Sequence, residues 1–264
     1  MKILNFLFSR SKQERDKPIR DKLKTRKDFE RVLAEDLDIM ETTKARMDTA
    51  KNINLYMYRS LSYSYILILQ SKYSVDAKID ELRDIYIKSM YYFLQAFNKR
   101  NPIYADILNY VSLGVLLNIP DNNFRQLIDY VKQMDKQAKP SGWTPDLLLW
   151  FMLNSRMKEQ EKQKYAETLA YPRLYNGLYK VIQAPNAAAA KDALNKYLDR
   201  WYNLNSDAPW YNSHLKDNSY RGYWAWEVAA VAKIMHIDDS DLKNNQYYPY
   251  DMVHWEDNET TAKE

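Results

Sequence analysis

Apolar residues recur every three or four positions over much of the chain, which is the spacing of a helix face turned toward a core. The clearest stripe lies between Asp76 and Asn98 and comprises Ile79, Leu82, Tyr86, Met90, Phe93 and Phe97. A second stripe leads into the tyrosine-rich run 55–69 and comprises Phe29, Leu33, Leu37, Met40 and Met47. We therefore expect Asp28–Ser71 to form one very long helix, or two helices with a break near Asn52–Asn54.

The same periodicity and the turn-forming residues between its segments predict further helices. Lys139-Pro140-Ser141-Gly142 is the strongest linker signal, and Thr144-Pro145-Asp146 has the residues of a helix start. The predicted helices are Tyr104–Leu117 and Asp121–Gln137 as an antiparallel pair, Glu159–Ile182 with a break near Pro172, Ala187–Tyr202 after an Asn186 cap, and Tyr220–His236.

Alternating runs of β-branched residues are few, so no significant sheet is expected. The predicted fold is all-α, a multi-helix array or bundle of helical hairpins in two packed units. The predicted organisation is an N-terminal tail at 1–18, a helical N-terminal domain at 19–138, a helical C-terminal domain at 143–255 and a tail at 256–264.

Composition argues against most catalytic sites. The chain has four glycines, all scattered, and no cysteine. Glycine-rich phosphate loops, thiolate catalysis and cysteine-ligated zinc are therefore excluded. The three histidines, His214, His236 and His254, do not pair at helical spacing, and no nucleophile-elbow motif occurs. We expect no catalytic residue, no metal site and no cofactor, with a solvated or core role for each histidine.

Hydropathy predicts a soluble protein without a membrane segment or a visible export signal. The most apolar stretch, 61–70, lies between Arg59 and Lys72 and is much shorter than a spanning helix requires. The apolar run within residues 1–8 is shorter than the hydrophobic region of a signal peptide and lacks a small-residue cleavage site.

Charge is distributed unevenly along the chain. Residues 1–31 contain eleven lysines and arginines against five acids, whereas residues 199–264 contain six against twelve. The basic segment could contact nucleic acid, but acids interrupt it and the tyrosines elsewhere sit mostly at core spacing. A solvated basic surface is the preferred interpretation, and a helical scaffold that binds nucleic acid through this segment is the alternative.

The segment 220–234 is apolar on nearly every side, which predicts a central, buried helix. Glu227 is its only carboxylate, so it needs hydrogen-bond partners if it is buried. Two interpretations stand: a structural residue held by tyrosine hydroxyls or an arginine, and a catalytic acid. The structural one is preferred, because no second carboxylate at helical spacing could share acid–base work with it.

Three motifs in this region carry a family resemblance: Y-x-G-Y-W-x-W-E-x-A-A at 220–230, I-D-D-S at 237–240 and Y-Y-P-Y-D at 247–251. Together with Trp201-Tyr202, Trp210-Tyr211 and His214, they resemble the C-terminal domain of the PoNi immunity proteins. The start at Arg20-Asp21-Lys22-Leu23 and the long helix after it are similar to the family's N-terminal domain. The resemblance spans about Ile19 to Trp255.

This resemblance implies a cytoplasmic, stoichiometric inhibitor of a PoNe DNase toxin, used in interbacterial competition through a system such as type VI secretion. The cognate toxin is then the expected partner, without direct contact to nucleic acid or membrane. The residues expected to contact the toxin are Asp238, Asp239, Asp241, Tyr247 and Tyr248. The motif residues expected to hold the fold are Tyr223, Trp224, Trp226, Glu227, Pro249 and Asp251.

Overall fold

A computed structural model describes residues 18–97, 103–136, 143–216 and 219–261, without the side chains of Phe97 and of 257–261. Within these ranges the chain forms ten α-helices: α1 (Arg26–Thr49), α2 (Leu55–Val75), α3 (Ile79–Phe97), α4 (Tyr104–Leu116), α5 (Asp121–Lys136), α6 (Leu147–Asn154), α7 (Pro172–Ile182), α8 (Ala187–Leu204), α9 (Trp226–Met235) and α10 (Tyr250–Thr261). Short 3₁₀ turns occupy Glu159–Glu161, Ser213–Leu215 and Ser240–Leu242. The only pairing of β type in these ranges is an isolated bridge between Asp146 and Thr168, so the all-α prediction is confirmed.

The long N-terminal helix is divided where the asparagines indicated. Helix α1 begins after Thr25, whose hydroxyl oxygen accepts from the backbone N–H of Asp28 in a reciprocal capping box, and it ends at Thr49. Asn54 then caps α2 by accepting from the backbone N–H of Met57 at 3.0 Å. Side-chain caps satisfy N–H groups that lack intrahelical partners, so the sequence specified this break locally.

The chain divides into two compact units that do not follow chain order. Unit 1 comprises residues 1–99 and 212–223, and unit 2 comprises 100–211 and 224–264. In unit 1, α1, α2 and α3 pack in sequence. Their shared core is built from Leu33, Met40, Leu61, Tyr65 and Ile68.

Unit 2 is organised around the apolar helix α9. It packs chiefly against α4 and also against α10, while α7 and α8 form a closely packed pair. Residues 228–232 of α9 are all buried, as the sequence predicted for this stretch. Among the described residues, no helix combines the length and apolarity needed to cross a membrane.

Two predicted helices are shorter in the structure. Residues 220–225 are not helical: Gly222 has φ 108°, a conformation outside the helical region, and α9 begins only at Trp226. Residues 162–170 are also non-helical, since their polar groups bond to other parts of unit 2: Gln163 pairs with Asn154 through two hydrogen bonds, and the N–H of Leu147 donates to the Thr168 carbonyl. Within the predicted helix start 144–146, the residue that caps α6 is Asp146.

The predicted linker at 139–142 lies outside the described residues. The boundary between domains 19–138 and 143–255, and the two tails, therefore stay predictions.

Candidate protein-binding site

Two of the predicted contact residues, Asp238 and Asp241, lie together on the surface of unit 2, beside the N-terminal part of α8. Lys191 reaches both carboxylates, with Nζ–Oδ distances of 2.8 Å to Asp238 and 3.1 Å to Asp241. Asn195, one turn further along α8, donates to Asp241 at 3.1 Å. The hydrogen bond from Lys191 is the main reason that the pKa of each carboxyl lies below its ordinary value, so both acids are ionised at neutral pH.

Asp239 and Tyr248 do not belong to this surface. They are only 3% and 2% exposed, and the Tyr248 hydroxyl donates to Asp239 at 2.6 Å. The other oxygen of Asp239 lies 2.7 Å from Nε2 of His254. The prediction that Asp239 and Tyr248 contact the toxin is therefore corrected. Both side chains point inward, where they connect the 237–249 segment to α10, and the local sequence could not show this direction.

Tyr247, the fifth predicted contact, is partly exposed and belongs to a group of stacked rings near the C-terminal end of α8. Its ring lies parallel to that of Tyr202, at a centroid distance of 5.3 Å and an angle of 4°. Tyr202 also stacks on Tyr211 at 4.5 Å, and Trp210 stacks on the buried Trp201 at 5.4 Å. We call the partly exposed rings of Tyr202, Trp210, Tyr211 and Tyr247 the aromatic platform.

Sequence reasoning did not assign Tyr202, Trp210 and Tyr211 to the site. They appeared only as two Trp-Tyr pairs in the family resemblance. The signal that could have found them is their spacing, because the two pairs lie on either side of a turn. In that turn the backbone N–H of Tyr211 donates to the Ala208 carbonyl, and the side-chain amide of Asn205 donates to the Trp201 carbonyl. This turn brings the second pair back against the first.

Glu227 lies beneath the platform rather than in it. Nε1 of Trp201 donates to its carboxylate at 2.6 Å, so its partner is an indole and not the tyrosine hydroxyl or arginine that was expected. Burial raises the pKa of Glu227 to about 7, and the Trp201 hydrogen bond opposes that rise. No further carboxylate is hydrogen-bonded to Glu227 among the bonds seen in the described residues.

The other motif residues divide between the two units. In unit 1, the Tyr223 hydroxyl accepts from the backbone N–H of His214 at 3.0 Å. In unit 2, Trp224 and Trp226 are buried with ring centroids 6.1 Å apart, and Pro249 is buried before α10. Asp251 is exposed in the first turn of α10, where a negative charge is favourable to the helix dipole.

The segment 212–223 carries a buried ion pair that was not predicted. Arg221 binds Asp36 of α1 with two hydrogen bonds, at 2.6 and 2.8 Å, and both side chains are almost fully buried. The backbone carbonyl of Arg221 accepts from Ser74, and Tyr220 donates to Asp21. Helix periodicity could not find this pair, because its partners are separated by 185 positions in the chain.

Two arginines in the described part of the basic N-terminal segment form hydrogen bonds and an ion pair within unit 1. Arg20 donates to the carbonyls of Tyr73 and Ala77, and Arg26 pairs with Asp76 at 3.2 Å. Residues 1–17 lie outside the described ranges. Within those ranges, no group of three histidine, aspartate or glutamate side chains is arranged to hold a metal ion.

Comparison with known proteins agrees with this description. The chain has the fold of protein PA2201 from Pseudomonas aeruginosa, with a TM-score of 0.69 at 18% identity over 96% of this chain and 93% of that one. No curated protein matches the sequence. Two family models do: the N-terminal domain of PoNe immunity proteins matches residues 12–129, and their C-terminal domain matches residues 144–252. Since these matches cover most of the chain, the protein belongs to the PoNi family of PoNe immunity proteins.

Proposed function

We propose that this protein protects the cell that makes it by binding a cognate PoNe toxin, a DNase, and covering the basic cleft in which the toxin holds DNA. It acts by binding rather than by catalysis, in the cytoplasm, where the DNA is located. The observation that supports this most directly is the surface along α8, where Asp238 and Asp241 lie at one end and the aromatic platform lies at the other.

The acidic character of this surface comes from the chain between α9 and α10. Of the four aspartates in residues 236–251, Asp238 and Asp241 lie on this surface, whereas Asp239 is buried and Asp251 belongs to α10. Asp238 and Asp241 are exposed, and the hydrogen bonds from Lys191 lower the pKa of both carboxyl groups further. A DNase needs a positive cleft for phosphate groups, and carboxylates can occupy such a cleft in place of phosphates. Complementary potentials accelerate the encounter of two proteins and exclude wrong partners.

The first experiment asks whether inhibition occurs. Purified toxin is incubated with plasmid DNA and a molar excess of this protein, and the intact plasmid is measured over time. We expect the plasmid to survive. Cleavage at the rate of the toxin alone, with complex formation absent in size-exclusion chromatography, would refute the proposal.

The second experiment tests the acidic end of the surface. Asp238→Lys with Asp241→Lys should slow association with the toxin roughly tenfold at low salt, and the difference should shrink at high salt because ions screen exposed charges. The matched control is Asp38→Lys with Glu41→Lys, which reverses two exposed acids on α1. Equal association rates for the two double variants would show that net charge, and not this surface, steers the encounter.

A further inference from the structure

The aromatic platform has the properties of a preformed anchor for a protein partner. Its rings are already stacked against each other, and Trp201 supports them from the interior through its bond to Glu227. Tyrosine and tryptophan dominate the energetics of protein interfaces, and rings fixed before binding lose little conformational entropy. A preformed surface of this kind therefore gains more binding free energy from a partner than a set of mobile side chains would.

The backbone also fixes the platform at both edges. The loop 205–211 is a series of hydrogen-bonded turns that orients Trp210 and Tyr211. On the opposite side, the N–H of Ala225 donates to the Tyr247 carbonyl at 2.8 Å, and the Asn245 side chain accepts from the Tyr247 N–H at 2.9 Å. Hydrogen bonds therefore fix the backbone that carries Tyr211 and Tyr247.

The chemistry of the platform selects the kind of group that fits it. Burial, together with the neighbouring phenol groups of Tyr202 and Tyr211, raises the pKa of Tyr247 above its ordinary value. Asp241 and Asp238 bond to Asn195 and Lys191, which precede Tyr202 by about 10 and 16 Å along the axis of α8. Aromatic faces suit a guanidinium group, which stacks on rings, while the carboxylates further along α8 suit other cations of the same partner surface.

We infer that the aromatic platform is the site where an arginine-bearing segment of the toxin's cationic surface docks, and that it sets how slowly the complex dissociates. This inference depends on the proposed function, and it divides the surface into two roles. The carboxylates at the Lys191 end govern association, because long-range charge acts before contact. The rings govern dissociation, because their contribution exists only at van der Waals contact.

The test is a stopped-flow and dissociation study with Tyr211→Arg and Tyr211→Phe. Tyr211→Arg places a positive charge on the platform and should increase the dissociation rate on the order of 30-fold, the size expected at an interface hot spot. Tyr211→Phe keeps the stacked ring and should change that rate by less than about threefold. The control is Tyr56→Arg with Tyr63→Arg, two tyrosines of α2 that are 77% and 62% exposed.

The outcomes separate the two proposals. If wild type does not inhibit the toxin, the proposed function itself fails. If wild type inhibits and Tyr211→Arg dissociates as slowly as wild type, or no faster than the α2 control, the platform is not the docking site although the function stands. Melting temperatures of all variants are measured. If Tyr211→Arg does not fold, Tyr211→Ala provides a second measurement, because it removes the ring without adding a charge. Faster dissociation of Tyr211→Ala than of Tyr211→Phe supports the inference, whereas equal dissociation rates of these two variants overturn it.

Discussion

Glu227 gives the sharpest test of the packing beneath the platform, since a single atom change removes its charge. Glu227→Gln keeps the length of the side chain and a carbonyl oxygen that can accept from Nε1 of Trp201, which in the wild type donates at 2.6 Å. It removes only the cost of an ionised carboxylate in a desolvated position. The substitution therefore separates the contribution of the charge to the folding free energy from the contribution of side-chain shape.

The magnitude follows from the pKa of about 7, which burial raises from an ordinary value of 4.5. Because the folded protein holds this proton more tightly than the unfolded chain does, Glu227 favours the folded state at low pH. That advantage is lost as the pH rises from the unfolded pKa through the folded one. Over this window the wild type loses about 3 kcal/mol of folding free energy from this group, at 1.36 kcal/mol for each pKa unit.

The assay is urea unfolding followed by tryptophan fluorescence at about pH 5 and about pH 9. We expect Glu227→Gln to match the wild type within about 1 kcal/mol at the lower pH and to exceed it by roughly 2–3 kcal/mol at the higher pH. Glu161→Gln is the control, because Arg125 holds the pKa of that exposed carboxyl below its ordinary value. It should bring no gain at high pH. A stability difference between Glu227→Gln and wild type that does not change with pH would show that Glu227 is not desolvated as described.

Two further predictions concern packing. Arg221→Met should lower the free energy of unfolding by about 3–5 kcal/mol, because it leaves the buried carboxylate of Asp36 without its cation. The double variant Arg221→Met with Asp36→Leu should recover most of that loss. Calorimetry that finds the single and double variants equally unstable would contradict this prediction. Gly177→Ala should lower the free energy of unfolding in urea by about 1–3 kcal/mol, because the new Cβ would lie 2.6 Å from Cδ2 of the buried Tyr197. The control, Asn176→Ala on the exposed side of α7, should change that free energy by less than about 0.5 kcal/mol.

Local sequence signals predicted a large part of the helical structure. The apolar stripe of α3 is buried at Ile79, Leu82, Tyr86, Met90 and Phe93, as its spacing indicated. Asn186 caps α8 by accepting from the backbone N–H of Ala189 at 2.9 Å. These features depend on interactions within a few residues, so they can be read from a short stretch of sequence.

The candidate site was predicted only in part. Exposed acids at Asp238 and Asp241 follow from the sequence, because a run of charged residues near a turn is usually solvated. The inward direction of Asp239 depends on Tyr248 and His254, whose side chains reach it only after α9 and α10 have packed. The three rings that join Tyr247 in the platform come from α8 and the turn after it, which one-dimensional spacing does not relate to the 247–251 motif.

The sequence alone determined the all-α class, the positions of most helices and, through its C-terminal motifs, the family. Tertiary structure alone decided that residues 212–223 belong to the same compact unit as α1–α3, that Arg221 pairs with Asp36, and that α4 packs against α9. The physical reason is the range of the interactions. Helix periodicity and caps act between neighbours in the chain, whereas a buried ion pair or a ring stack is stabilised only when distant segments exclude water together.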